Sequence, residues 1–108
     1  MSSSQQALYW DSVGQTLNAT TAYKVNLPSG TTDWTVVNTS GATIGIAGTA
    51  ATIASPHLGV LTNETLSGKG QELYLGNATG GGLTVVVVWN RAGRQPTGDA
   101  GTTTFTAL

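Results

Sequence analysis

Hydrophobic and polar residues alternate along most of the chain, as in strands whose successive side chains point to opposite faces. Ala22-Tyr23-Lys24-Val25-Asn26-Leu27 alternates with Tyr23, Val25 and Leu27 on one side, and stops at the turn signal Pro28-Ser29-Gly30. Trp34 to Thr39 follows and is closed by Ser40-Gly41. Then come Ala42 to Ile46, Ala51 to Ala54 and Leu58 to Thr62, each short and bounded by Gly, Pro or Asn. Glu72-Leu73-Tyr74-Leu75 alternates again, Gly80-Gly81-Gly82 leads into Leu83 to Trp89, and Thr102 to Ala107 completes the series. About eight short strands at this spacing predict an all-β fold, an antiparallel β-sandwich of jelly-roll type.

One segment departs from one-sided patterning. Leu83-Thr84-Val85-Val86-Val87-Val88-Trp89 places Leu83, Val85, Val87 and Trp89 on one face, and Val86 and Val88 with Thr84 on the other. An antiparallel strand in a small sheet normally keeps one face polar for water. Apolar residues on both faces therefore predict that a second chain covers this strand, and Val86 and Val88 are the candidates for self-association.

The first 21 residues lie outside the alternation. Asp11 is placed to cap a turn, and Tyr9, Val13 and Leu17 have the i, i+4, i+8 spacing of a helix face, against which Gly14 and Thr16 argue. Residues 1–21 are read as an extended N-terminal arm and residues 22–108 as a single β-sandwich domain. The arm carries Leu8, Tyr9 and Trp10, which pack either on a neighbouring subunit or back on their own domain. Trp34, at a strand start, joins these three as a candidate interface residue, because exposed Trp serves protein contacts.

Composition sharpens the assembly reading. The chain has 108 residues, enough for one domain, and no cysteine, which removes disulfides and thiol chemistry. Charged residues make up 8% and the net charge is −1, where soluble domains carry about a quarter charged residues. Polarity comes instead from 19 Thr and 8 Ser, interleaved with 15 Gly. Hydroxyl-rich surfaces suit packing against other subunits, where a buried unpaired charge is costly. Lys24, Lys69, Arg91 and Arg94 form no basic patch, so no nucleic-acid or membrane partner is expected. Met1-Ser-Ser-Ser-Gln-Gln6 has neither the basic nor the apolar region of a secretory signal, and no apolar run approaches about 18 residues, so synthesis as a soluble chain without export is expected.

Candidate chemistry is sparse. His57 is the single histidine, and without cysteine it makes a poor zinc site, so no metal or other cofactor is expected. Asp11, Asp33, Glu64, Glu72 and Asp99 supply carboxylates without a motif that pairs them, and no Gly-x-Ser-x-Gly elbow supports a serine nucleophile. The chain is accordingly read as no enzyme. Gly68-Lys69-Gly70 and Gly80-Gly81-Gly82 read as turns, since no helix follows to complete a phosphate loop. Asn-x-Ser/Thr triplets begin at Asn18, Asn38, Asn63 and Asn77, and turn chemistry accounts for them.

Gly82-Leu-Thr-Val-Val-Val-Val-Trp-Asn90 and Lys24-Val-Asn-Leu-Pro-Ser-Gly30, in a short Thr-, Gly- and Val-rich chain without cysteine, resemble the small jelly-roll cement or decoration proteins of tailed bacteriophages. The resemblance covers the layout from about Ala22 to Trp89 and rests on style, with no diagnostic motif. It implies a homo-oligomer, dimer or trimer, on the capsid exterior of a virion, bridging the major capsid protein after synthesis in the host cytoplasm. The alternative from the same pattern is a phage tail-tip or receptor-binding β-sandwich that recognises host glycan through Trp34 and the loops around His57.

Overall fold

The computed structural model describes residues 8–47, 59–92 and 100–108. They form seven strands: β1 (Leu8–Leu17), β2 (Thr21–Asn26), β3 (Thr31–Ala47), β4 (Gly59–Lys69), β5 (Glu72–Asn77), β6 (Leu83–Ala92) and β7 (Thr104–Ala107). All pair antiparallel in one sheet of order β1-β6-β3-β5-β2-β7, with β4 on the second side of β3. The all-β, antiparallel expectation is met, and the sheet is curled into a half-barrel. The expected strand Ala51 to Ala54, His57, Arg94 and Asp99 fall outside the described residues.

The curl follows from connectivity. Lys69 pairs with Asp33 near the start of β3, and Tyr74, five residues later, pairs with Ala47 at its end. Five residues reach at most about 17 Å, whereas fourteen residues of straight strand span about 46 Å. So β3 folds back on itself. The bend is a bulge between Asn38 and Thr43, where four residues of β3 stand opposite the single residue Asn63 of β4. Trp34 to Thr39 and Ala42 to Ile46, expected as two strands, are thus the two arms of one bent strand.

The corner is built by one asparagine. Asn38 is 0% exposed. Its Oδ1 accepts from the Ser40 N–H (3.1 Å) and the Ser40 hydroxyl (2.6 Å), while its Nδ2 donates to the Ala42 carbonyl at 2.7 Å. Gly41 takes φ +82°, which suits glycine, and its N–H donates to Asn63 Oδ1 at 2.9 Å. The same device recurs between β5 and β6. Asn77, also 0% exposed, accepts from the Thr79 N–H (2.9 Å) and hydroxyl (2.7 Å) and donates to the Gly81 carbonyl at 2.8 Å.

Each corner faces a residue in the left-handed region, Asn63 within β4 at φ +54° and Thr20 in the turn before β2 at φ +53°. The turn chemistry read from the Asn-x-Ser/Thr triplets is therefore realised at Asn38 and Asn77. Because β3 pairs with β6 before its corner and with β5 after it, both corners fall on one crease across the sheet.

Folding along the crease closes the inner face into a core of Leu17, Tyr23, Val25, Trp34, Val36, Ile44, Ile46, Leu73, Leu75, Val85, Val87 and Trp89. The chain's return is tied in by Trp89, whose Nε1 donates to the Ala100 carbonyl at 2.8 Å. Farther on, β7 docks on β2 through Asn26 Nδ2, which reaches the hydroxyls of Thr104 (3.2 Å) and Thr106 (2.8 Å). Phe105 meets Tyr23 edge-on, ring centroids 6.4 Å apart.

The N-terminal arm requires correction from Leu8 onward. Leu8–Leu17 is a full strand, paired residue by residue with β6 and without a break. The spacing of Tyr9, Val13 and Leu17 fits a strand as well as a helix, because residues four apart share a strand face. Val13 and Leu17 do turn inward: Leu17 is fully buried and Val13 packs against the core. Residues 1–7 lie outside the described part.

Candidate interaction surface

The convex side of β1, β6, β3 and β4 is set out in rows by the register. Trp10, Asn90, Asp33 and Lys69 make the first row, Ser12, Val88, Thr35 and Ser67 the second, and Gly14, Val86, Val37 and Thr65 the third. Trp10 is 67% exposed and Val86 36%, while Val37 and Val88 are half-buried. Gly14, where an added Cβ would meet nothing within 4 Å, leaves a flat place beside Val86. The second and third rows carry no charge. Hydroxyls on this face bond to one another, as Thr35 Oγ1 and Ser67 Oγ do at 2.7 Å.

Three of the six candidate interface residues, Trp10, Val86 and Val88, therefore share one surface. Tyr9 and Trp34 do not join it. Tyr9 stands on the opposite face of β1 and is half-buried. Leu8 pairs through its backbone with Ala92, and its side chain lies outside the described part. Trp34 belongs to the core, only 2% exposed, opposite Trp89 on one side and Gly68 on the other. Its expected surface position is corrected by strand parity: Asp33 and Thr35 point out, so Trp34 must point in. Gly68, read as part of a turn, lies instead within β4 beneath the indole, and the turn is made by Gly70 at φ +89°.

Val37 and Gly14 are members that sequence reasoning missed. Val37 follows Val36 as Val86 follows Val85, and that doubled apolar pair was the available signal. Asp11, Asp33, Glu64 and Glu72 stand on four different strands, and no group of three potential metal ligands occurs among the described residues. Asp33 accepts a hydrogen bond from the Thr32 hydroxyl at 3.0 Å. What this surface offers is flat area of mixed Val, Thr, Ser and Gly character with one projecting indole, a chemistry of packing and hydroxyl contacts. No protein-family model matches the chain, and no curated protein or solved structure matches it either.

Proposed function

We propose that this chain is a non-enzymatic structural protein of a virion, a capsid cement or decoration protein that self-associates and bridges major capsid subunits. A jelly-roll form of the sandwich belongs to that proposal. The observation that carries it is the convex surface, where Trp10, Val88, Val86 and Val37 are contiguous by register, Trp10 and Val86 exposed and the other two half-buried. A ligand of the assembled lattice alone lowers the free energy of that state, and several weak contacts add through multivalency. A low-charge face suits such contacts, since no ion has to be desolvated.

Two measurements test the proposal. Sedimentation velocity of the whole chain should show a dimer or trimer that Val88→Asp converts to monomer. Cryo-imaging of particles that co-purify with the chain should place it on the outside of a capsid. A monomer at high concentration, together with absence from particles, would reject it.

A glycan-recognising tail module is favoured by one feature. The exposed indole of Trp10 stands directly across from Asn90, a pairing of stacking surface and amide that suits a sugar. In this reading Trp10 takes the place of the buried Trp34, and binding on a glycan array that is lost in Trp10→Ala would support it.

A further inference from the structure

Strand β1 is an end strand of the sheet, ten residues long, with no bulge in its register and no Pro or Lys. Such an edge presents a row of unpaired backbone groups to any passing strand. The other two edges are blunted differently. β7 has four residues, and β4 is broken at Asn63 and carries Glu64 and Lys69. On β1 the protection comes from two side chains. Asp11 Oδ1 accepts the N–H of Ser12 at 2.8 Å, and Gln15 Nε2 donates to the carbonyl of Thr16 at 3.2 Å. Ladder bonds alternate sides along a strand, so these backbone groups, with those of Trp10 and Gly14, belong to the side facing away from β6. Asp11 and Gln15 share the strand parity of Val13 and Leu17, but Asp11 is exposed, and a charged side chain on an edge strand is a known barrier to edge pairing.

We infer that Asp11 and Gln15 close the β1 edge, so that a second copy of this chain seats on the convex face and not along the ladder. The inference rests on the self-association reading for its second half only. The arrangement of charge agrees with it. Asp33 and Lys69 occupy the outermost row, leaving the two rows of Ser12, Val88, Thr35, Ser67 and Gly14, Val86, Val37, Thr65 uncharged. Two identical faces stacked about a two-fold axis through those rows bring no like charges together at the centre.

The test uses the full chain, its Asp11→Thr/Gln15→Val double variant, and Val88→Asp. Sedimentation velocity reads mass, and amide hydrogen exchange reads the edge at Trp10 and Gly14. In the wild type both amides should exchange as unprotected groups, whatever the oligomer. In the double variant, mass should rise with concentration, and these two amides should slow by about 10-fold or more, as expected when new ladder bonds form. A double variant indistinguishable from wild type would overturn the inference, as would a wild-type oligomer with both amides protected. A monomeric wild type beside an associating double variant would uphold edge closure and reject face-to-face self-association. Amide dispersion checks folding, and Asp11→Thr alone serves the same comparison if the double variant is unfolded.

Discussion

Trp34 sits on Gly68. The two are register partners on β3 and β4, and a Cβ added to Gly68 would overlap the six-membered ring of the indole, 2.6 Å from Cη2. The ring is hemmed in by the core, so it has little room to yield. Gly68→Ala should destabilise the fold by about 1–3 kcal/mol, the usual cost of overpacking. Urea unfolding followed by Trp fluorescence measures it, and a neutral result would mean that the indole moves freely in its pocket.

The two asparagine corners should be costly to remove. Asn38→Ala removes the hydrogen bonds to the Ser40 N–H and hydroxyl and to the Ala42 carbonyl, and Asn77→Ala removes those to the Thr79 N–H and hydroxyl, to the Gly81 carbonyl and to the buried Leu17 carbonyl. At about 0.5–1.5 kcal/mol net for each hydrogen bond lost, each substitution should lower stability by at least about 1.5 kcal/mol. Ala at exposed Asn18 should cost well under 1 kcal/mol, roughly the range of ordinary surface changes. Chemical denaturation of the three variants in parallel makes the comparison.

Thr20 is a β-branched residue held at φ +53°, whereas the equivalent place in the other corner holds Asn63 at φ +54°. The left-handed region costs an ordinary residue roughly 1–2 kcal/mol, and Asn visits it more readily. The Thr20 hydrogen bond made within the corner is from its backbone, to the Thr79 carbonyl at 3.1 Å. Thr20→Asn should therefore stabilise the chain by about 0.5–1 kcal/mol, seen as a higher urea midpoint with unchanged slope.

Trp10→Ala separates surface from core. The side chain is largely in water already, so the monomer should lose less than about 0.5 kcal/mol. Association, read by sedimentation, should weaken markedly if the convex face is the contact.

Legibility followed the core. The strands around Val25, Leu73 to Leu75 and Val85 to Trp89 could be read because buried positions there recur at every second residue. The β1 strand escaped because Asp11 and Gln15, at the strand parity of Val13 and Leu17, bend round to cap the edge and so interrupt the alternation. The corner in β3 was hidden for a different reason: Ser40-Gly41 has the composition of a chain-reversing turn, and only pairing with β4 shows that the strand resumes. Of the candidate surface, Val86 and Val88 were legible as an apolar run on both faces. Trp34 was misplaced because one residue of strand phase separates solvent from core.

The shared crease has a consequence for length. Inserting two residues between Trp34 and Asn38 would keep every side chain on its own face, yet would carry one bend about 6.6 Å past the bend of its neighbour. Asn38 and Asn77 thus act as paired fiducial marks, and this sheet should absorb a changed side chain far more readily than a changed count of residues.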